Sequence, residues 1–472
     1  MHRLSGEAAG FLYLDLPNQP MTGMYLFVLS PGRADDGPAT PLTPEEFRDH
    51  LGQRLDILPH YRWRIVHVPG GIHHPVTIAD PDFRLERHLG HVRLPEPGTP
   101  RQLDELCARL LATPLQHDRP LWHFTLVDGL ADGRQAIVAR LHHSLGDGDA
   151  GHEVLQRLCS AEPPSSDSSI SWIPEAVPGR RQLIGDARRA HRESLRGVPR
   201  LIGRTRRGFA AVAARQKSGP VAVPRPTRDT TACSLNDAFT SGRAYAHALM
   251  DLAEIRDVKA AAGTSINDVM LAVVAGGLTR YLGRLGDLPA APLTVSVPVS
   301  VKTPDTPART SGNRFSSLTT SLATDVVDPW ERLARIAAVT TEAKYQLELF
   351  GPELLPDWLD VIPPFIARPA VRGHNRNRRD HRERADVNAL VSNVRGPATL
   401  LPFGRATVDE IYTAGPPSNG VGCNISLHSY AGMLAVGIAC FADAVPDPDV
   451  LAADLGDALA ELREIAAWRS RA

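Results

Sequence analysis

No stretch of this chain approaches the ~20 consecutive apolar residues that a helix needs to cross a bilayer, so no such span is expected. Cysteine is scarce. The five present in 472 residues, Cys107, Cys159, Cys233, Cys423 and Cys440, are scattered, odd in number and free of any CxxC. That pattern argues against a disulfide framework or a zinc ribbon and for a reducing compartment. Charge of either sign is not in excess. A net charge of −1 gives the whole chain no electrostatic pull toward nucleic acid. The opening "MHRLSGEAAGFLYLD" carries Glu7 and Asp15 and lacks an unbroken apolar core, so it does not read as a signal peptide. Neither a GxSxG nucleophile elbow nor an HExxH zinc helix occurs.

What is present fits a soluble α/β protein, 43% hydrophobic and 22% charged, long enough for two cores. Residues 1–160 form a first unit. "GMYLFVL" (23–29) and "QAIVARLHH" (135–143) are expected as strands. "TPEEFRDHLGQRLD" is expected as a helix capped by Thr43, with Phe47, Leu51 and Leu55 at helical spacing. "PRQLDELCARLLATPL" places Leu103, Leu106, Leu110 and Leu111 on one stripe. Residues 161–235 read as a connector, starting with the Pro/Ser-rich "AEPPSSDSSISWIPEAVPG". Between Arg180 and Lys217 twelve Lys/Arg face only Asp186 and Glu193, a local charge of +10. That segment is expected to be helical. It is either a solvated linker or a surface that adheres to anionic lipid.

Residues 236–472 form a second unit. "TSINDVMLAVVAGGLTRYLGRLG" is a long apolar helix capped near Ser265 or Asn267, with Gly283 or Gly286 at its exit. "APLTVSVPVSV", "ALVSNVR", "CNISLHSY" and "GMLAVGIACF" are strands, and "DPDVLAADLGDALAELREIAAW" is a closing helix. The basic run "RPAVRGHNRNRRDHRERAD" (368–386) is expected as an exposed loop, open to contact with phosphates.

The chemistry concentrates in "RLHHSLGDGDA" (140–150). On a strand, Ile137, Ala139, Leu141 and His143 share one face, and Val138, Arg140 and His142 share the other. Adjacent strand histidines point apart and cannot grip one metal, so no metal is expected. Asp147 lies in the turn that follows, able to cap the next helix, to pair with Arg62, Arg64 or Arg140, or to orient a ring nitrogen. His143 at the strand end is a candidate general base. A packed imidazole is the other reading of the same residues.

His142, His143, Asp147 and Gly148 spell HHxxxDG, which resembles the active-site motif of CoA-dependent acyltransferases and peptide-synthetase condensation domains. "PLW" (120–122) precedes the motif by about twenty residues, and "INDV" (266–269), "VPVSVK" (297–302), "GNRFSSL" (312–318), "VSNVRGP" (391–397) and "GPPSNGVGCNISLHSYAGMLAVGIACFAD" (415–443) follow in order. Over essentially the whole chain this set resembles the bacterial wax ester synthase/acyl-CoA:diacylglycerol acyltransferase family.

The resemblance implies two chloramphenicol-acetyltransferase-like domains in a V-shaped pair with an active-site tunnel between them. It makes His143 the base, His142 its supporting neighbour and Asp147 with Gly148 the turn that holds them. Asn267, Asn313 and Asn393 match further motif positions; a helix cap or a turn hydrogen bond is the plainer role for each. The substrates implied are acyl-CoA and either diacylglycerol or a long-chain alcohol, with no cofactor. A carrier-protein-bound donor is the alternative. The implied setting is cytoplasmic, with peripheral contact at membranes or lipid bodies. Acceptor, acyl chain length and the choice of monomer or homodimer stay open. Two positions depart from the family pattern: Ala8 where an acid is common, and Arg395 where proline is common.

Overall fold

Thr22–Ser30 and Gln135–His142 pair antiparallel at the centre of one six-stranded mixed sheet, flanked by Trp122–Asp128 and Leu89–Arg93. A second six-stranded sheet runs Arg243–Asp251, Met433–Phe441, Cys423–Tyr430, Ala389–Arg395, Thr294–Ser300, Phe315–Ser321. The computed structural model describes residues 1–33, 38–160, 172–237, 240–300, 310–377 and 385–471.

Alternation along Gln135–His142 is as the sequence predicts. Ile137 and Ala139 enter a core with Phe47 and Leu51 of the helix Pro44–Arg54 and with Leu55, its C-cap. Ala136 and Val138 enter another, with Leu103, Leu106 and Leu111 of the helix Pro100–Ala112. Both helices start at a Thr capping box, Thr43 with Glu46 and Thr99 with Gln102. The second sheet packs on Ile266–Arg284 and Pro448–Arg469 in a core of its own.

The domain limits read from the sequence need one revision. Leu401–Phe403 and Ala406–Ala414 belong to the first sheet, and the latter pairs antiparallel with Thr22–Ser30. Without this return, Thr22–Ser30 would be an edge with a row of unmatched backbone groups. The two sheets also touch. A Cβ on Gly437 would fall 2.1 Å from the Thr413 carbonyl oxygen, so only glycine lets the strands come so close.

Within the connector, Arg180–Ser218 is one 39-residue helix. It packs on Pro329–Phe350 and Leu354–Val361, anchored by a two-point Arg215–Glu342 ion pair and by Arg204–Asp357. Its packed residues are therefore not a solvated linker. The run expected as a loop at 368–386 begins instead inside the helix Pro364–Asn377, whose Phe365 lies against the turn at Gly71. Residues 378–384 of that run, 161–171 of the connector and 301–302 of "VPVSVK" lie outside the described residues. Among the described residues, no single helix is long and apolar enough to cross a membrane.

Candidate active site

The Gln135–His142 strand ends at the histidine pair, and the two rings enter different surroundings. His142 is buried. Its Nδ1 accepts from the Ser144 amide at 3.1 Å and lies 2.7 Å from the Ser144 hydroxyl. An Nδ1 that accepts an amide proton is unprotonated, so the neutral ring carries its proton on Nε2. Nε2 faces Asp15 Oδ2 at 3.6 Å. Burial lowers the His142 pKa, with Asp15 opposing it.

His143 is half-buried and stacks on Phe11, ring centroids 4.5 Å apart and 22° from parallel. Phe11 belongs to the helix Gly6–Leu14 and also lies 6.1 Å from Phe315 of the other lobe. Burial, then the neighbouring His142, pulls the His143 pKa from 6.5 to about 4, with the Gly146 backbone and Asp147 pulling weakly the other way. The ring is neutral over the whole physiological range.

Both lobes fix the backbone of this residue. The His143 amide donates to the Met21 carbonyl at 2.8 Å, and Asn313 Nδ2 donates to the His143 carbonyl at 2.7 Å. Asn313 is thus a side-chain clamp across the junction, more than a turn residue. The following turn is tied to the same segment: the Gly312 amide donates to the Leu145 carbonyl at 2.8 Å, beside a parallel bridge between Gly146 and Gly312.

Asp147 takes the first of the roles expected of it and none of the arginine pairs. Its Oδ1 caps the helix Gly148–Leu158 by accepting from the Ala150 amide at 3.1 Å. Its Oδ2 accepts from the Arg314 amide of the opposite lobe at 2.8 Å. Arg62 pairs with Asp56, Arg64 with Asp80, and Arg140 donates to the Leu110 and Thr113 carbonyls, which is why none reaches Asp147. Gly148 is required by contact: a Cβ there would sit 2.8 Å from Val394 Cγ2 on the strand that carries Asn393.

Asn393 is half-buried and opposite Leu427 in register. Asn267 is half-buried too but does not cap its helix. Ser265 does so, in a capping box with Asp268, because Ser265 holds the extended backbone a cap needs. The Asn267 helix packs against Pro448–Arg469 and Pro329–Phe350, and among the described residues no hydrogen bond ties Asn267 to His143. Two amides of the turn after the histidine pair are already engaged, Ser144 with His142 Nδ1 and Leu145 with the His142 carbonyl.

Sequence reasoning missed Asp15. Its Oδ1 accepts from the Met21 amide at 2.8 Å, one residue link from the bond that holds His143, and Oδ2 meets His117 Nε2 at 2.8 Å. Burial alone would raise its pKa, but His117, His142 and the Met21 amide outweigh burial and hold the carboxyl well below the usual range. The one available signal was an acid inside the otherwise apolar "FLYLDL". Asp15→Asn keeps the shape and removes the charge, so it should cost about 1.5–3 kcal/mol of stability. A denaturant melt with an unchanged midpoint would reject that role. A folded pKa below the unfolded 3.8 means the contribution is present above pH 4 and fades as acid titrates the folded group.

Two lobes with HHxxxDG at their junction define the class, that of the two-lobed acyltransferases. The first condensation domain of the calcium-dependent antibiotic synthetase shares the fold, with a TM-score of 0.58 at 17% identity over 99% of this chain and 96% of that one. So does the wax ester synthase/diacylglycerol acyltransferase from Marinobacter aquaeolei VT8, with a TM-score of 0.67 at 24% identity over 99% and 100%. The model of the wax ester synthase/diacylglycerol acyltransferase catalytic domain matches residues 4–270, and that of the WS/DGAT C-terminal domain matches 311–463. A Mycobacterium tuberculosis protein named as a diacylglycerol O-acyltransferase is 33% identical over 468 residues, covering 99% of this chain and 97% of its own. A Mycobacterium bovis protein of similar name is 29% identical over 476 residues, covering 96% and 97%. The chain belongs to the wax ester synthase/diacylglycerol acyltransferase family, and it is an acyltransferase.

Proposed function

We propose that the protein transfers a fatty acyl group from acyl-CoA to the hydroxyl of diacylglycerol or a long-chain alcohol, with His143 as general base and no cofactor. The observation that carries this reading is a neutral, half-buried imidazole at the lobe junction, stacked face-on against Phe11, its main chain held by Met21 and Asn313. The acceptor O–H gives its proton to that imidazole as oxygen attacks the thioester carbonyl. The tetrahedral intermediate then expels CoA thiolate, which takes the proton back. No acyl-enzyme is required. Asp147, Gly148, Asn313 and Asn393 support the turn and the junction. His142 backs the pair through Ser144 and Asp15. Contact with a lipid surface belongs to the same proposal, since the acceptors are lipids.

An acceptor panel with a single acyl-CoA, products separated by lipid class, tests the reading. Ester from diacylglycerol or from a long-chain alcohol supports it. Turnover only with a carrier-bound donor would replace it with the condensation-type alternative.

The base also predicts a pH profile. A His143 pKa of about 4 leaves the unprotonated form dominant above that value. The acid limb of kcat/KM should therefore bend near pH 4, well below the 6.5 of a free imidazole. A limb centred near 6.5 would mean that the free enzyme's base is exposed to solvent or is another group.

A further inference from the structure

The helix Gly6–Leu14 is sunk between the lobes but leaves one aromatic ring half open. Gly6, Glu7, Ala8, Ala9 and Tyr13 are buried, whereas Phe11 is not. Phe11 enters none of the three apolar cores among the described residues. Its ring lies instead between two others, His143 of the first lobe and Phe315 of the second.

The helix is held from both sides. The Gly6 amide donates to the Asp360 carboxylate. A Cβ on Gly6 would stand 2.1 Å from the Leu359 carbonyl carbon, so only glycine allows this approach to Leu354–Val361. Glu7 Oε1 accepts from the Phe315 amide at 3.4 Å. Toward the first lobe, the Tyr13 hydroxyl meets His74 Nδ1 at 2.9 Å, and Gln19 Nε2 donates to the Leu14 carbonyl at 2.9 Å. Glu7 and Phe11 are one turn apart and share a face, so the bond that ties Glu7 to Phe315 also aims the Phe11 ring. The base receives the consequence. Ring centroids 4.5 Å apart, with planes 22° from parallel, leave no layer of water on that face of His143. A neutral imidazole has one N–H and one bare nitrogen. The bond to the Gly146 backbone favours the protonated ring, so it takes the N–H and leaves the other nitrogen to accept.

We propose that Phe11 is a positioning residue for the acyl transfer: clamped by both lobes, its ring keeps one face of His143 dry and presents the bare nitrogen to the acceptor hydroxyl. Phe11 touches no reacting atom and acts through the imidazole. The assignment rests on His143 being the base. Because Phe315 backs the same ring at 6.1 Å from the second lobe, the base is held in place only while the lobes are together.

Three variants of the full chain, assayed with acyl-CoA and the best acceptor of the panel above, test the proposal. Phe11→Ala should lower kcat about 10–100-fold with little change in KM, because a loosened base costs the chemical step and not binding. Water on the bared face stabilises the imidazolium, so the acid limb of kcat/KM should rise from near pH 4 toward 6.5, by about one unit or more. Phe11→Leu keeps an apolar cover but no flat plate; its limb should stay low while its kcat falls. Phe315→Ala keeps the stack and removes its backing, so its loss of kcat should be the smaller. The shift can also be read without turnover. Diethyl pyrocarbonate modifies neutral imidazole, so carbethoxylation of His143 across pH, followed by mass spectrometry, reports the ring's own titration. Its midpoint should rise in Phe11→Ala. A limb or a modification midpoint that stays put in Phe11→Ala overturns the proposal and leaves Phe11 as packing, as does a wild-type kcat in that variant. Full turnover in His143→Ala sinks the base reading and this inference with it. A normal Phe11→Ala beside an inactive His143→Ala sinks this inference alone.

Discussion

His143→Ala is expected to lower ester formation from acyl-CoA by about 10²–10⁴-fold, the range a positioned general base supplies. The melting curve should hardly move. The contacts that fix residue 143 to its neighbours are main-chain bonds to Met21 and Asn313, which alanine keeps. The side chain contributes a stacked pair with Phe11, about 0.5–1.5 kcal/mol, and a hydrogen bond to the Gly146 backbone, about 0.5–1.5 kcal/mol more. Loss of both is offset in part because a desolvated imidazole is removed with them. His142→Ala supplies the contrast. That ring is fully enclosed, bonded to Ser144 and close to Asp15, so its removal leaves buried partners unmatched and should lower stability and activity together. Activity lost without stability at 143, and both lost at 142, separates the base from its support. Near-normal turnover in His143→Ala would end the proposed mechanism.

How far the sequence could anticipate this site depends on the range of each interaction. Period-two alternation in "QAIVARLHH" correctly sends Ile137 and Val138 to opposite cores, because a strand's faces are set locally. Helix starts at Thr43 and Ser265 were legible for the same reason: a cap and its N3 partner are three residues apart. Asn267 was named beside Ser265 because both residue types cap helices, and only backbone conformation decides between them. What was not legible joins distant segments. Asp15 reaches His117, 102 residues away, and Asn313 reaches His143 across 170. The crossing of Ala406–Ala414 into the first sheet has no local signature, since a strand pattern does not name its partner. The basic run at 368–386 misled in a different way. Its charges suggested a solvated loop, yet its first residues continue a helix that packs through Pro364 and Phe365 onto the turn at Gly71. Charge reports exposure better than it reports backbone conformation.

Asp147 is where local and distant ties meet, and its substitution should have the second-largest effect. Asp147→Ala removes the N-cap of Gly148–Leu158, worth about 0.5–2 kcal/mol. It also strands the Arg314 amide, for a similar further cost. A combined loss of about 2–3 kcal/mol is expected in a denaturant melt. The kcat should fall too, because Asp147 Oδ2 is one of the bonds holding the Gly312–Arg314 segment, and with it Asn313, against the His143 carbonyl. Asp147→Asn discriminates between roles. Asparagine offers one carbonyl oxygen where aspartate offers two, so it can keep either the Ala150 amide or the Arg314 amide but not both. It should therefore fall midway in stability and recover part of the turnover. If Asp147→Ala lost activity with no change in its melt, the carboxylate would be acting on the reacting groups and not as a tie between lobes. If it kept both, the contact across the junction would carry no weight, and Asn313 alone would have to hold the base in place.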